Sequence, residues 1–153
     1  MKFICDVMLG RLARYLRILG LDAIYIKNYK DLAHIVDKDS KYFFFTKRTK
    51  NTPKGSILIK SDHVKEQLKE ILPVIRDYLD ENSFFTRCLS CNTLLVHIDR
   101  GEIEGLVPEY VFHNQLEFKK CLLCNKIYWS GTHIAHMEAW VGELLSNKLV
   151  ENK

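Results

Sequence analysis

The stretch KFICDVMLGRLARYLRILGLDAIYI, residues 2–26, decides the fold. It opens with a short apolar run typical of a buried strand, which ends at Asp6. Apolar residues then recur at helical spacing over residues 8–19, and Gly20 is a typical helix terminator. A second apolar run, residues 23–26, follows at once. This order of strand, helix and strand predicts two parallel strands joined by a crossover helix.

The rest of the first half continues this alternation. Strands are expected at residues 42–45 and 56–59, and helices at residues 31–36 and 63–78. Either Ser61 or Asp62 is expected to cap the last of these helices. The pattern predicts a parallel α/β sheet with helices packed on it.

The second half has a different character, with short β-like pieces and an amphipathic helix over about residues 134–149. We therefore predict two domains, an α/β domain over residues 1–82 and a smaller domain over residues 83–153.

Composition limits the class of protein. The chain has 153 residues, of which 47% are hydrophobic and 27% charged, as in ordinary globular proteins. No apolar run is long enough to span a membrane, and charged side chains interrupt the first 20 residues where a secretory signal would be apolar. The expected location is the cytoplasm, without a membrane partner.

Basic residues are concentrated in the first half of the chain. Residues 1–80 hold 16 Lys and Arg against 10 Asp and Glu, whereas residues 81–153 hold 7 against 9. The resulting net charges of +6 and −2 place an anionic partner most naturally on the first half. The alternative is that these cations serve solubility alone.

Four of the five cysteines form two C-x-x-C pairs, Cys88 with Cys91 and Cys121 with Cys124. Four thiolates complete a tetrahedral structural zinc site, and an Asn after each pair suits the tight turns of a zinc ribbon. The alternative, a redox dithiol, lacks its usual place at the start of a helix after a strand. Cys5 is expected to be a small buried apolar residue.

Four aspartates are candidates for a second metal site. Asp6 ends the first strand and Asp62 follows the fourth. Two helper aspartates, which would assist Asp6 and Asp62, lie before and after the second strand: Asp22 and Asp31. Carboxylates gathered at one sheet edge would hold Mg²⁺ or Mn²⁺, which activates water toward a phosphodiester. The alternative interpretation of Asp6 and Asp62 is helix capping.

Residues 3–20 resemble the opening of the Mut-seven-C RNase family, which joins a PIN-like nuclease domain to a zinc ribbon. The resemblance continues in RCLSCN at residues 87–92, in Val107-Pro108 and in residues 118–131, and it extends to about residue 137. It implies a PIN-like α/β/α sandwich followed by a zinc ribbon, and metal-dependent cleavage of single-stranded RNA.

The resemblance also assigns residues. The family's first acidic position matches Asp6, its Gly-aromatic-Asp matches the segment ending at Asp22, and its Ser-Asp pair matches the segment ending at Asp62. Its Thr-Arg-Asp falls on Thr46-Lys47-Arg48, so that Arg48 stands where a metal-binding carboxylate is expected. His63 stands where the family has a further acidic residue. The cation of Arg48 would occupy the metal's position and bind a phosphate instead.

Three functions follow as hypotheses. The first is a ribonuclease using Mg²⁺ or Mn²⁺ on Asp6 and Asp62, with Asp22 or Asp31 as helper. The second is a catalytically inactive RNA-binding module, and the third is an adaptor whose zinc ribbon or C-terminal helix docks another protein. Six cations are the candidates for nucleic-acid contact: Arg11, Arg14, Arg17, Lys47, Arg48 and Lys50.

Overall fold

The structure is a computed structural model that describes residues 1–151, apart from the side chains of residues 132–133 and 147–151. The chain divides into two compact units, Met1–Leu94 and Leu95–Lys153. Residues 83–94, which include the first cysteine pair, thus belong to the same compact unit as the α/β sheet.

The first unit is built on a parallel sheet of four strands in the order β2-β1-β3-β4. The strands are β1 (Lys2–Cys5), β2 (Ala23–Tyr25), β3 (Tyr42–Thr46) and β4 (Ile57–Leu58). The helices are α1 (Gly10–Ile18), α2 (Leu32–Ile35) and α3 (Val64–Ile75), with a 3-10 turn at Tyr29–Asp31 before α2. These elements confirm the predicted parallel α/β fold.

Side chains alternate between the two faces of the sheet because successive residues of a strand point to opposite sides. On one face Ile4 and Phe44 form a buried cluster against which α2 packs through Leu32 and Ile35. On the other face the ring of Phe3 contacts the ring of Tyr78, which follows α3, with 5.6 Å between their centroids. Since α1 packs against α3, the sheet lies between two helical layers.

The start of α3 differs from the prediction. Its N-cap is His63, which makes no side-chain capping hydrogen bond, so the expectation that Ser61 or Asp62 caps this helix is wrong. Both residues lie in the turn before the helix, where their side chains bind Glu70 and Lys47 instead. Cap preference is a local rule, and these two longer-range partners override it.

The second unit contains an antiparallel sheet of three strands in the order β5-β6-β7. Its elements are β5 (Val96–Ile98), α4 (Glu109–Asn114), β6 (Phe118–Lys120), β7 (Ile127–Trp129) and α5 (Thr132–Glu151). Ile103, Val111 and Phe118 form a buried core. This small sheet and the final helix fit the predicted ribbon-type domain.

Within the part of the chain that the structure describes, no helix combines the length and the apolar character that a membrane span requires.

Candidate functional site

The order of the strands predicts a ligand-binding crevice at the carboxyl ends of β1 and β3. Strand β2 is added on one side of β1, and β3 is later added on the other side of β1. The direction in which strands are added therefore reverses between β1 and β3. In open α/β sheets, ligands bind outside the carboxyl ends of the strands at such a reversal. Asp6 directly follows β1, and Lys47 and Arg48 directly follow β3. We call this region the carboxyl edge.

Asp6 is the buried carboxylate of the carboxyl edge, with 2% of its side chain exposed. Its Oδ2 accepts hydrogen bonds from the hydroxyls of Tyr29 and Thr46, both at 2.9 Å. Its Oδ1 accepts one from the backbone N–H of Val7 at 2.7 Å. The Nε of Arg48 lies 3.6 Å from Oδ2, so a cation balances the buried charge.

Arg48 is held by more than this ion pair. Its backbone N–H donates to the Thr46 hydroxyl at 3.0 Å, and its guanidinium lies 5.0 Å from the centre of the Tyr29 ring. Burial raises the pKa of Tyr29, and its hydrogen bond to Asp6 raises it further, so the phenol remains a donor. With 43% of its side chain exposed, Arg48 presents a fixed cation to solvent.

The second acid of the carboxyl edge, Asp62, is also paired with a cation. Lys47 Nζ donates to Asp62 Oδ1 and to the carbonyl oxygen of Ser61, the latter at 3.0 Å. The Lys47 ammonium, through this hydrogen bond and its charge, lowers the pKa of Asp62. Asp6 and Asp62 therefore contact two consecutive residues, Arg48 and Lys47, of the segment that follows β3.

Sequence reasoning missed the residues that hold this arrangement in place. Glu70 on α3 accepts hydrogen bonds from the backbone N–H groups of Lys60 and Ser61 at 3.0 and 2.7 Å, and also from the Ser61 hydroxyl. Burial opposes ionisation of Glu70, but these hydrogen bonds outweigh it and lower its pKa. Tyr29 lies 23 residues from Asp6, and Glu70 lies 9 residues from Ser61, so no local motif marks either contact.

Within the described part of the chain, neither Asp22 nor Asp31 forms a group of three ligand residues with Asp6. Asp22 lies at the amino end of β2, where its Oδ1 accepts a hydrogen bond from Asn92 Nδ2 at 2.6 Å. Asp31 is exposed at the end of the 3-10 turn that begins with Tyr29. Among the described residues, only the four paired cysteines bring three or more His, Cys, Asp or Glu ligand atoms together. A third carboxylate at the carboxyl edge is thus not part of the arrangement.

The three arginines of α1 have different settings. Because α1 starts just after β1 and runs back along the sheet, Arg11 lies near the carboxyl edge and Arg17 near the opposite, amino edge. Arg11 and Arg14 are exposed, whereas Arg17 is only 9% exposed. Arg17 Nε donates to the Ala23 carbonyl at 2.8 Å, and Nη1 donates to the Leu89 carbonyl at 2.7 Å. Arg17 therefore holds the first cysteine pair and is not placed to contact a phosphate.

The four paired cysteines form a cluster that could hold a metal ion. Their sulfur atoms all lie within 4.8 Å of one another, and the two pairs have matching turns. The N–H of Cys91 points to Cys88 Sγ at 3.4 Å and that of Cys124 points to Cys121 Sγ at 3.5 Å. Asn92 and Asn125, which follow the pairs, have φ of 67° and 64°, a conformation that Asn adopts more readily than most residues.

The donor set decides which metal fits. Four sulfurs suit Zn²⁺, which binds thiolates tetrahedrally, and such a closed site is structural. Cys5 stands apart from this set, fully buried, and burial raises the pKa of its thiol. This is consistent with its expected role as a small apolar residue.

Mg²⁺ or Mn²⁺ does not fit the carboxyl edge as it is arranged. These ions require several oxygen ligands, and both oxygens of Asp6 already accept hydrogen bonds from the chain. A guanidinium also lies 3.6 Å from Oδ2 and would repel an added cation. The residues present therefore neutralise the two aspartates without a metal.

A comparison with protein families agrees with this geometry. The Mut7-C RNAse domain matches residues 1–141 of the 153. Comparisons with curated proteins and with solved structures find no significant match. The family match confirms the resemblance seen in the sequence and covers both the α/β sheet and the cysteine pairs. The chain belongs to the Mut7-C RNAse domain family.

Proposed function

We propose that this protein binds single-stranded RNA at the carboxyl edge, with Arg48 as the central phosphate contact. One observation carries the proposal: a half-exposed guanidinium is fixed over the Tyr29 ring at the crevice between β1 and β3. Membership of an RNase domain family makes RNA the natural polyanion for this crevice.

The chemistry of Arg48 supports this assignment. A guanidinium carries five N–H donors, and Arg48 meets Asp6 through Nε. Its planar fork matches the oxygens of a phosphate and permits two parallel hydrogen bonds. Because Tyr29 and Thr46 position Arg48 beforehand, little side-chain freedom is lost on binding.

Further cations lie around Arg48 and would follow the phosphate backbone. Lys50 is exposed two residues after Arg48, and Arg11 is exposed in the first turn of α1. Lys47 neutralises Asp62, so it adds less to the field than an unpaired cation would. Binding of this kind is electrostatic and weakens as salt rises.

The second candidate function is metal-dependent RNA cleavage. What favours it is that Asp6 and Asp62 both contact residues 47–48, so their carboxylates belong to one crevice. Cleavage with Mg²⁺ or Mn²⁺ would require Arg48 and Lys47 to leave the aspartates. The third hypothesis, a protein-docking adaptor, would need no RNA contact at all.

Anisotropy of a short fluorescent single-stranded RNA tests the proposal on the zinc-loaded chain. We expect Arg48→Ala to weaken binding several-fold and to reduce the salt slope by about 1, since one phosphate contact is lost. Lys50→Ala should weaken binding less. The matched control is Lys38→Ala, an exposed lysine in the loop before β3, which should bind like the unmodified protein.

The outcomes separate the three functions. Equal weakening by Arg48→Ala and Lys38→Ala, or no RNA binding at low salt, contradicts an interface at the carboxyl edge. Incubation of RNA with the protein and Mn²⁺, analysed on a denaturing gel, tests the second function. Cleavage that disappears in Asp6→Asn would establish it.

A further inference from the structure

The carboxyl edge contains two acids and two bases that form two pairs. Asp6 faces Arg48, and Asp62 faces Lys47. Two carboxylates in one crevice would normally attract a divalent cation, because their mutual repulsion is relieved by a bound positive charge. Here the two positive charges come from adjacent residues of the chain itself.

The pairing at Asp6 is built into the fold at several points. The Thr46 hydroxyl donates to Asp6 Oδ2 and also accepts the backbone N–H of Arg48. Tyr29 likewise donates to the same oxygen and stacks under the guanidinium. Two side chains thus hold the acid and its cation together, which distinguishes this pair from a chance ion pair on a surface.

The pairing at Asp62 is anchored in a similar way. Lys47 is the less exposed partner, with 17% of its side chain accessible against 88% for Asp62. Its ammonium also donates to the Ser61 carbonyl, and the Ser61 backbone is in turn held by Glu70. The cation is therefore fixed by the turn, and the exposed acid follows it.

From these contacts we infer that Arg48 and Lys47 are resident counter-cations that exclude divalent metal ions from Asp6 and Asp62. Arg48 Nε lies 3.6 Å from Asp6 Oδ2, so its charge repels a cation that approaches this oxygen. This inference deepens the proposed function and rests on it only for the identity of the ligand: RNA meets protein cations at this crevice, so binding does not depend on Mg²⁺.

A titration with Mn²⁺ alone tests the exclusion, with no RNA present. The zinc-loaded chain, the double variant Lys47→Ala with Arg48→Ala, and the same double variant carrying Asp6→Asn are compared by the electron paramagnetic resonance signal of free Mn²⁺. We expect the double variant to bind one Mn²⁺ at least about tenfold more tightly than the unmodified chain, because two nearby cations are gone. Adding Asp6→Asn should abolish this gain, and Lys38→Ala should leave Mn²⁺ binding unchanged.

Two results would overturn the inference. One is a Mn²⁺ site in the unmodified chain that disappears in Asp6→Asn. The other is a folded double variant that gains no Mn²⁺ affinity. If circular dichroism shows that the double variant is unfolded, Arg48→Met replaces it, since Met retains an apolar side chain to pack on Tyr29 and removes the charge.

RNA binding measured with and without added Mg²⁺ provides a second readout on the unmodified chain. Equal affinity under matched ionic strength supports the inference, whereas binding that requires Mg²⁺ contradicts it. Because the Mn²⁺ titration contains no RNA, it can fail while RNA binding at the carboxyl edge holds, and the reverse is also true.

Discussion

The two edges of the parallel sheet use the same residue types for different purposes. At the carboxyl edge, Asp6 pairs with Arg48 beside a crevice. At the amino edge, Asp22 binds Asn92, and Arg17 donates to three backbone carbonyls, those of Ala23, Leu89 and Ser90. Helix α1 connects the two edges, with Arg11 near one and Arg17 near the other.

The difference lies in burial and in the kind of partner. Arg17 is buried and donates to neutral carbonyls, so it positions the segment of the first cysteine pair. Arg48 is half exposed and pairs with a carboxylate through Nε, so part of its side chain is open to solvent. A buried arginine with backbone partners indicates a structural role, whereas an arginine held by an aromatic ring at a crevice indicates ligand binding.

The amino edge is further tied to the first cysteine pair by close backbone contact. Gly20 has a φ of +79°, and a Cβ at this residue would collide with the backbone of Ser83. The Arg87 side chain donates to the Gly20 carbonyl at 3.1 Å and to the Asn92 carbonyl at 2.9 Å. The segment around Cys88 is thus part of the amino edge.

Removal of zinc should cause the largest loss of stability, because the first cysteine pair is part of the amino edge. Zinc binding to structural sites is worth roughly 10–16 kcal/mol, and this stabilisation is lost when the metal is removed. We expect one zinc per chain by metal analysis, and a large drop in melting temperature after chelation. The Cys88→Ser variant should lose zinc, whereas Cys5→Ala should retain it, since Cys5 lies outside the cluster. An unchanged melting temperature in the metal-free chain would refute a structural zinc.

The Arg17→Met variant should show the next largest loss of stability. It leaves the buried Ala23 carbonyl without this donor, which costs about 1–3 kcal/mol, and it also removes the half-buried hydrogen bonds to Leu89 and Ser90. We therefore expect a loss of about 3 kcal/mol or more in the free energy of unfolding of the zinc-loaded chain, measured with urea. The matched control is Arg14→Met, an exposed arginine on the same helix, with an expected change within about 0.5 kcal/mol. Similar losses in both variants would remove the distinction between the edges.

The smallest effect concerns the Lys47–Asp62 pair. The pKa of Asp62 is lowered in the folded state by Lys47. The stabilisation from the pair is therefore present above the ordinary Asp pKa of about 3.9, and it is lost as the pH falls through the lowered pKa of folded Asp62. Carboxyl NMR titration should show the pKa of Asp62 returning toward its ordinary value in Lys47→Met. Lys38→Met should not change it. An ordinary pKa of Asp62 in the unmodified chain would show that the pair does not persist in solution.

Local patterns predicted the elements well. Strands β1 and β3 and helix α1 arise from apolar periodicity and a terminating glycine, which act over a few residues. The cysteine pairs likewise predicted their cluster, because the spacing within each pair fixes how its turn presents two sulfurs. Asp6 was identifiable as a residue that ends a parallel strand.

By itself, then, the sequence determined the alternation of strands and helices, the thiolate cluster and the excess of basic residues in the first half. Only the tertiary structure decided that Arg17 is buried while Arg11 is exposed, that Asp22 lies at the edge opposite Asp6, and that Tyr29 holds Arg48. The physical reason is that burial and ion pairing depend on which distant segments meet. Equal spacing along a helix carries no information about what its two ends contact.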